Sequence, residues 1–316
     1  MIIKPYTEDL YDQWDSFVEK SVNGVFFHKR RFLSYHENRF IDASLLIENE
    51  RGQLIAVLPS AIDPYDDSAI VSHPGITFGG LVSGNNCRGE KCIQAMDDIC
   101  QFYREKGYES LRYKSIPHIY QRQLLQDDIY ALYRLGANKY RCDISATINL
   151  QSRGKLSKGR KYEINKGRKN GVTIHSDEKY IAQIWSLLEM SLLEKHQATP
   201  VHSLKEILML NAKFSNEITF LSAQIDNQVI AGLVLFSMGN VLHTQYISAG
   251  KEAYVSGALD FLIESVIGRA VEEGYQYFDY GISNEDQGRI LNEGLYRFKR
   301  SFGAGSVVHD YYRIDF

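Results

Sequence analysis

The pattern of apolar and polar positions predicts the same series of elements twice along the chain. Residues 92–116 and residues 259–283, which lie 167 positions apart, each show an amphipathic helix that ends in Gly-Tyr and runs into an aromatic-rich strand. A single match of this kind arises readily by chance between ordinary helices. Three matches in the same order indicate a duplicated domain. Two further pairs of segments match in that order: 11–21 with 181–191, and 45–61 with 221–237.

The repeated elements also predict the fold class. In each half, a helix with one apolar stripe precedes a β-hairpin, a loop with glycines, a long helix and a further strand. We therefore predict a mixed α/β protein with two tandem domains, each a mixed, mostly antiparallel sheet flanked by helices. The expected boundaries are an N-terminal domain over 1–145 and a C-terminal domain over 146–316. The second half has an additional segment, 194–217, for which we expect more helix.

Composition narrows the class of protein. The chain has 316 residues, 44% of them hydrophobic, and a formal net charge of −3. This length suits two domains of about 150 residues each. The near-neutral charge excludes a polybasic nucleic-acid coat, so we expect no DNA partner. The uncharged run 227–250 is broken by Gly239-Asn240 and diluted by polar residues. It predicts a hairpin, and we expect no transmembrane segment.

The N-terminal stretch and the cysteines predict a cytoplasmic location. The first residues include acids and lack the apolar core of a signal peptide. The four cysteines, Cys87, Cys92, Cys100 and Cys142, form no CxxC pair, which is typical of a reduced protein. The nine histidines show no HxxxH or HExxH spacing, so we expect no metal site.

The segment 151–171 is strongly basic. It has a single acid, Glu163, against eight basic residues. Such a density of charge favours a phosphate-bearing partner such as CoA, a nucleotide sugar, a tRNA backbone or an anionic membrane. A solvated helix face is the alternative interpretation. The eight are Arg153, Lys155, Lys158, Arg160, Lys161, Lys166, Arg168 and Lys169.

Motifs spread over nearly the whole chain resemble those of one known family, the tandem-GNAT acyltransferases of the FemAB-like and BioF2-like group. The resemblance implies two GNAT domains and transfer of an acyl or aminoacyl group to an amine. It also implies an acceptor such as an amino sugar or a cell-envelope polysaccharide precursor. The matching segments are Trp14, 23–28, 32–36, 73–74, 78–80, 170–172, 278–281 and 291–303.

The donor that the resemblance implies is acyl-CoA, such as acetyl-CoA, or an aminoacyl-tRNA, with no tightly bound cofactor. The usual pyrophosphate loop of CoA-dependent members reads Arg/Gln-x-x-Gly-x-Gly/Ala, and the segment 253–258 here lacks its Arg/Gln and its first glycine. Backbone N–H groups at the start of the following helix still favour an anion. The candidate CoA-binding residues are Lys251, Ser256, Gly257 and Ala258.

Four residues are catalytic candidates. Alternation along the strand 241–248 places His243 on one face and Tyr246 on the other. His243 is a candidate base and Tyr246 a candidate acid, although each is also consistent with an ordinary sheet residue. Asp279 lies in an aromatic strand, where a carboxylate is costly unless it is paired or exposed. By resemblance, Lys299 matches a Phe-Lys pair that contacts phosphate or the transferred group; a surface lysine is the alternative.

The remaining candidates are substrate-binding residues. A cluster at 28–31 in the first half could hold phosphates of the acceptor, or form a solvated helix start. We expect the first half to bind or shape the acceptor and the second to position the transferred group. The substrate-binding candidates are His28, Lys29, Arg160, Lys161, Arg168 and Phe298.

Three functions are therefore compatible with the sequence. The first is an N-acyltransferase that uses acyl-CoA and acts on an amino sugar or its precursor. The second is a Fem-type transferase that uses aminoacyl-tRNA, which the basic segment 151–171 suits. The third is a non-catalytic binding protein on a degenerate GNAT scaffold, which the altered loop at 253–258 favours.

Overall fold

The structure is a computed structural model that describes the backbone of residues 1–316 and every side chain except those of residues 195 and 196. The chain forms two compact units. Unit 1 contains Met1–Ile144, Asn284–Ile290 and Val308–Phe316, and unit 2 contains Ser145–Ser283 and Leu291–Val307. The division of roles between an N-terminal domain 1–145 and a C-terminal domain 146–316 stays a prediction.

Unit 1 combines two groups of strands with four α-helices. Its first strands, in the order β1-β2-β3-β6, are all antiparallel neighbours. Its strands are β1 (Ile2–Pro5), β2 (Leu45–Glu48), β3 (Leu54–Leu58), β4 (Ala61–Asp63), β5 (Asp66–Val71), β6 (Val82–Ser83) and β7 (Ser110–Lys114). Its helices are α1 (Tyr11–Lys20), α2 (Arg30–Leu33), α3 (Glu90–Glu105) and α4 (Asp127–Arg134).

The strand β8 (Asn138–Asn149) begins in unit 1 and ends in unit 2. Most of unit 2 follows it in the chain. The α-helices of unit 2 are α5 (Lys158–Lys169), α6 (Ile181–His196), α7 (Leu204–Lys213), α8 (Lys251–Ser256), α9 (Ala258–Glu272) and α10 (Glu293–Arg300). Its further strands are β9 (Thr173–His175), β10 (Ile218–Ile225), β11 (Gln228–Met238), β12 (Val241–Ala249) and β13 (Tyr277–Ile282).

Three further strands and several short 3-10 helices complete the chain. The strands are β14 (Asn284–Glu285), β15 (Ile290–Leu291) and β16 (Gly305–Asp315). The 3-10 helices are Glu8–Leu10, Phe26–His28, Ser34–Arg39, His118–Tyr120, Glu178–Tyr180 and Asp286–Gly288. Both halves have the predicted helix followed by a strand, as α3 then β7 and as α9 then β13.

The sheet of unit 2 runs in the order β8-β13-β12-β11-β10-β9. The pair β12 and β13 is parallel, and the pairs on either side are antiparallel. Unit 1 likewise has a parallel pair, β5 with β7, beside antiparallel ones. The predicted mixed α/β class is therefore confirmed, with helices flanking mixed sheets.

A β-bulge in β12 overturns the predicted alternation of faces along this strand. Tyr246 pairs with Val234 and Thr244 pairs with Leu235, so Gln245 is the extra residue. An extra residue reverses the side to which the following side chains point. Tyr246 and His243 therefore lie on the same face of the sheet, and not on opposite faces as the sequence pattern indicated.

Helices cover both faces of this sheet. On the face of His243, α6 packs so closely that a Cβ at Gly232 would lie 2.6 Å from a methyl group of Ile184. On the other face, α9 buries Leu259, Leu262 and Ile263 in an apolar cluster shared with the sheet. The catalytic candidates of the strand therefore lie on the α6 side, away from that cluster.

The helix α5 contacts the start of α9 through two glycines. A Cβ at Gly167 would lie 2.6 Å from the carbonyl oxygen of Gly257, and a Cβ at Gly257 would lie 2.3 Å from the carbonyl oxygen of Glu163. Asn170 donates a hydrogen bond of 3.0 Å to the carbonyl of Ser256. Side chains at these two glycines would force the helices apart.

We expect Gly167→Ala to lower the free energy of unfolding by about 2 kcal/mol, since a methyl group here overlaps backbone and the Phe261 side chain. Gly159→Ala in the same helix is the matched control, because nothing lies within 4 Å of its Cβ position. The control should stabilise the protein by up to about 1 kcal/mol through helix propensity. Urea unfolding of both variants measures the difference, and equal effects would contradict this packing.

Candidate active site

Asp279 of β13 is completely buried, and its carboxylate is held by neighbouring strand residues. Oδ1 accepts hydrogen bonds from Ser145 Oγ at 2.5 Å and from Thr147 Oγ1 at 2.6 Å. Both donors belong to β8, whose Thr147 pairs with Asp279 across the sheet. Two charge-assisted hydrogen bonds offset much of the cost of burying the carboxylate.

The other carboxylate oxygen contacts His243. Asp279 Oδ2 lies 2.9 Å from His243 Nδ1, and the two residues are partners in the parallel pair of β12 and β13. The side chain of His243 is only 6% exposed. Because an ionised carboxylate can only accept, Nδ1 carries the proton in this pair. The basic nitrogen of the neutral ring is then Nε2.

Gly281 lies between the Asp279–His243 pair and the side chain of Lys299. Its N–H group donates to Asp279 Oδ2 at 3.2 Å, and its φ of +75° is a left-handed conformation. A Cβ at this position would lie 3.4 Å from His243 Cε1. The backbone therefore turns directly beside the imidazole ring, which a residue with a side chain would hinder.

Lys299 of α10 reaches the same turn. Its Nζ donates to the carbonyl oxygens of Gly281 at 2.9 Å and Ile282 at 2.6 Å. The residue is 5% exposed, and burial lowers the pKa of its ammonium group to about 8, against the opposing effect of the Asp279 charge. A buried, hydrogen-bonded cation thus lies beside the Asp279–His243 pair, and the alternative of a surface lysine is excluded.

Tyr246 belongs to a second group on the same face. Its hydroxyl lies 2.6 Å from His202 Nδ1, and its ring makes an edge contact with Trp185 of α6 at 5.3 Å. Burial raises the pKa of the Tyr246 hydroxyl. His202 precedes α7, in the segment that the first half of the chain lacks. This contact joins that segment to the sheet.

The four predicted CoA-binding residues lie at α8 and the start of α9. Lys251 is exposed, Ala258 is buried, and Ser256 donates to the carbonyl of Glu252 at 2.7 Å. Gly257 has the left-handed φ of +79° but contacts α5, as described above. Its missing side chain therefore permits helix packing, and its assignment to CoA stays a prediction.

Four substrate-binding candidates lie in α5 and α10. Arg160 forms an ion pair with Asp260, and its guanidinium lies 4.6 Å from the centre of the Phe298 ring. Lys161 and Arg168 are exposed on α5. Arg160 and Phe298 thus contact each other, whereas Lys161 and Arg168 present their charges to solvent. A role for the four in substrate binding stays a prediction.

The two candidates of unit 1 are engaged in local contacts. His28 is fully buried; its Nδ1 accepts from the Val25 N–H at 3.1 Å, and its Nε2 donates to the Phe78 carbonyl at 3.2 Å. Burial lowers the pKa of His28 to about 3, so the ring is neutral. Lys29 Nζ lies 3.6 Å from a carboxylate oxygen of Glu19. Their predicted role in acceptor binding remains to be tested.

Sequence reasoning missed three residues of these groups, namely Ser145, Thr147 and His202. The first two alternate with Ala146 and Ile148, which are fully buried. This pattern of polar and apolar residues was a usable signal for a strand with a polar inner face. His202 has no comparable signal, because its contact with Tyr246 depends on how a loop folds over the sheet.

Within the part of the chain whose side chains are described, no group of three or more His, Cys, Asp or Glu residues could hold a metal ion. Among the same residues, no helix combines the length and apolar character needed to cross a membrane.

Comparison with known proteins gives a family for much of unit 2. Residues 155–300 match the model of the acetyltransferase (GNAT) domain. A comparison with curated proteins gave no match. The matched range includes His243, Asp279 and Lys299, and it excludes Ser145 and Thr147, which hold the carboxylate.

Solved structures are similar over 85% or more of the chain at low sequence identity. The structure of FemX has a TM-score of 0.71 at 9% identity and covers 100% of this chain and 98% of its own. The C-terminal domain of a putative lysylphosphatidylglycerol synthetase from Agrobacterium fabrum has a TM-score of 0.58 at 14% identity, covering 85% and 83%. A tandem GNAT protein from the clavulanic acid biosynthesis pathway has a TM-score of 0.50 at 9% identity, covering 99% and 98%.

These findings identify the class of protein. Residues 155–300 form an acetyltransferase (GNAT) domain, which indicates an acyltransferase, and the chain has a FemAB-like tandem GNAT fold. The resemblance stated from the sequence motifs is thereby confirmed for the fold and for the general activity.

Proposed function

We propose that unit 2 transfers an acyl group from acyl-CoA, such as acetyl-CoA, to an amine. The observation that carries this proposal is the buried group formed by His243 of β12, Asp279 of β13 and Lys299 of α10. Amide formation from a thioester needs a neutral amine, a polarised carbonyl and an acceptor for the proton. This group of side chains can supply the last two.

His243 is the proposed general base. Asp279 accepts from Nδ1, and Nε2 is the nitrogen proposed to take the proton from the attacking amine. Ser145 and Thr147 keep the carboxylate oriented toward the ring. The amine nitrogen forms a bond to the thioester carbon, the C–S bond breaks, and the thiolate leaves with a proton returned by the imidazolium.

Lys299 is the proposed electrophilic group. Its charge lies close to the base, and its present partners are two backbone carbonyls that a substrate oxygen can replace. A preorganised cation of this kind stabilises the negative charge that develops on the carbonyl oxygen during transfer. Tyr246 is the alternative proton donor on the same face, through its hydroxyl.

For the acceptor, we propose an amino sugar or a cell-envelope polysaccharide precursor, with unit 1 binding or shaping it. This part of the proposal rests on the family resemblance of the sequence motifs. The internal contacts of His28 and Lys29 argue for a shaping role over direct contact with phosphate. The same proposal places the protein in the cytoplasm and its reaction in polysaccharide biosynthesis.

Transfer from an aminoacyl-tRNA is the second candidate. It is favoured by the start of α9, which α5 covers and where the Asp260 carboxylate occupies the first turn. Asp260 is paired with Arg160, and the packing of α5 against Gly257 leaves little room there for the pyrophosphate of CoA. FemX and the putative lysylphosphatidylglycerol synthetase are similar in fold, which keeps this donor in consideration.

A ligand screen distinguishes the donors. Thermal unfolding is measured with acetyl-CoA, with charged tRNA and with UDP-linked amino sugars; a ligand at 100 times its Kd stabilises the native state by about 2.7 kcal/mol. Mass spectrometry of mixtures then detects the acylated amine. We expect stabilisation by acetyl-CoA and a product that requires it. Stabilisation and product with charged tRNA alone would establish the second candidate, and the absence of both would contradict acyl transfer to these acceptors.

A further inference from the structure

A groove of about 450 Å³ lies along the outer side of α10 in unit 2. One wall is the segment before α5, and the other is the helix itself. The groove contains three basic side chains, two serines, one tyrosine, one leucine and one acid. Its lining residues are Lys155, Ser157, Leu291, Glu293, Tyr296, Arg297, Arg300 and Ser301.

The two walls are fixed to each other by backbone hydrogen bonds. The Ser157 N–H donates to the Ser301 carbonyl at 3.1 Å, and the Gly154 N–H donates to the Gly303 carbonyl at 3.0 Å. Arg153 strengthens this junction, since its Nε donates to the Phe302 carbonyl at 2.9 Å and its terminal nitrogens are held by the Glu264 carboxylate of α9. The basic side chains therefore project from a rigid frame and not from a loose loop.

The charges of the groove are largely uncompensated. Among the residues whose side chains the structure describes, Lys155 and Arg300 have no ion-pair partner. Arg297 lies 3.9 Å from Glu293, and both side chains are about 80% exposed, so this pair contributes little. By contrast, Arg153 and Arg160 of the same basic segment are each paired with an acid. The groove thus holds three basic side chains against one weakly paired acid.

The start of α9 offers a poor alternative for an anion. Asp260 places a buried carboxylate in its first turn, and α5 contacts Gly257 there. A phosphate group at this position would compete with Asp260 for Arg160 and would displace a packed helix. A donor that carries phosphates therefore needs another positive surface in unit 2.

We propose that the groove on α10 is a phosphate-binding subsite for the adenosine end of the acyl donor. The Arg297 and Arg300 guanidinium groups can bind phosphate oxygens in a bidentate manner, and Lys155 adds a third charge from the opposite wall. The half-exposed Tyr296 ring provides a flat surface on which an adenine base stacks. This assignment rests on the proposed transfer function and specifies where its donor is held.

The position of the groove is consistent with that role. Arg300 directly follows Lys299 in α10, whose Nζ reaches the Gly281 turn on the inner side. One short helix therefore connects the proposed electrophilic group with the proposed phosphate subsite. Both CoA and the 3′ end of a tRNA have adenosine linked to phosphate, so the groove chemistry suits either source.

Binding of phosphate-bearing adenosine probes tests the subsite without any turnover. Calorimetry is performed with adenosine 3′,5′-bisphosphate, with coenzyme A and with an uncharged RNA microhelix that ends in CCA. The test variant is Arg297→Gln/Arg300→Gln. The control is Lys205→Gln/Arg269→Gln, which removes two exposed charges of unit 2 outside the groove. Thermal unfolding checks that both variants are folded.

We expect the test variant to bind adenosine 3′,5′-bisphosphate at least about tenfold more weakly, a change of 1.4 kcal/mol, with a smaller salt dependence. The control variant should bind as the unaltered protein does. A parallel loss for coenzyme A alone indicates CoA as the source, and a loss for the microhelix indicates tRNA. Equal binding by test and control variants, or no binding of any probe to the unaltered protein, overturns the subsite.

These outcomes separate the subsite from the proposed function. Acyl transfer together with normal binding by the test variant rejects the groove and leaves the transfer proposal intact. Weakened binding by the test variant without transfer to any amine supports the groove and rejects the proposed reaction.

Discussion

Lys299→Met lowers the rate of transfer by about 100-fold, or 2.7 kcal/mol in the barrier, if its charge stabilises the developing oxyanion. The methionine retains much of the length of the side chain but leaves the Gly281 and Ile282 carbonyls without this donor. Lys205→Met, on the exposed surface of α7, is the matched control and should retain the full rate. Steady-state kinetics with a saturating donor measure the effect.

The pH dependence of the two proteins gives a second measure of the same role. Burial lowers the pKa of Lys299 to about 8, so the cation is lost as the pH rises through that value. The rate of the unaltered protein should therefore fall above about pH 8, and the Lys299→Met variant should lack this descending limb. A full rate for the variant, or the same limb in both proteins, would remove Lys299 from the mechanism.

Linkage predicts the direction of the accompanying change in stability. Because the pKa of Lys299 in the native state lies below its ordinary value of 10.5, the unfolded chain binds more protons between about pH 8 and pH 10.5. The contribution of Lys299 to the free energy of unfolding therefore rises with pH across that window, and its burial is unfavourable below it. Urea unfolding of the unaltered protein and of Lys299→Met at several pH values should differ in this slope.

The sequence predicted the residues of the site better than their arrangement. His243 and Asp279 were candidates because each is an ionisable residue in a predicted strand, and Lys299 was a candidate by resemblance to the family's Phe-Lys pair. Their grouping depends on strand order, which places β13 between β12 and β8. No local pattern encodes that order. The alternation at Ser145 and Thr147 indicated a polar strand face, but it could not indicate their contact with Asp279, which lies more than 130 positions further along the chain.

Two expectations differ from the structure for identifiable physical reasons. The period of two that assigned Tyr246 to the face opposite His243 fails at Gln245, because a bulge adds one residue there. The basic run at 28–31 indicated a charged cluster, but His28 lies among Phe27, Phe78 and other aromatic rings. The burial of His28 results from contacts between segments that lie far apart in the chain. The sequence shows which residues are apolar, but not where the fold places them.

The fold class could be predicted from the sequence more readily than the site. Each helix and hairpin of the repeat has its own periodicity, so a mixed α/β chain followed from local patterns. The inclusion of 308–316 in unit 1 follows instead from the pairing of β16 with β7, which brings Tyr311 opposite Lys114. Such long-range pairing has no signature within either strand.

The largest effect is expected for Asp279→Asn, which should reduce turnover by at least about 100-fold. The amide retains the size of the carboxylate but has a single acceptor oxygen for the donors of Ser145, Thr147, His243 and Gly281. If that oxygen stays with the two hydroxyl groups, the amide NH₂ faces His243 Nδ1. The imidazole then holds its proton on Nε2, and the base at Nε2 is lost.

Thr147→Val is the matched control for this substitution. It removes one hydrogen bond to Asp279 Oδ1 and leaves both the carboxylate and its contact with His243 in place. We expect a loss of about 1 kcal/mol in the free energy of unfolding and little change in turnover. If Asp279 had only a structural role, turnover would instead decrease in proportion to the loss of stability in both variants.

The tautomer of His243 provides the decisive readout. Nitrogen NMR of the imidazole should show the proton on Nδ1 in the unaltered protein and in Thr147→Val, and on Nε2 in Asp279→Asn. His243→Gln should lower turnover as much as Asp279→Asn does, and the double variant should add little, because residues that act as one unit are not additive. An Asp279→Asn protein that shifts its tautomer yet keeps full turnover would show that His243 is not the base, and Tyr246 would then be the residue to replace.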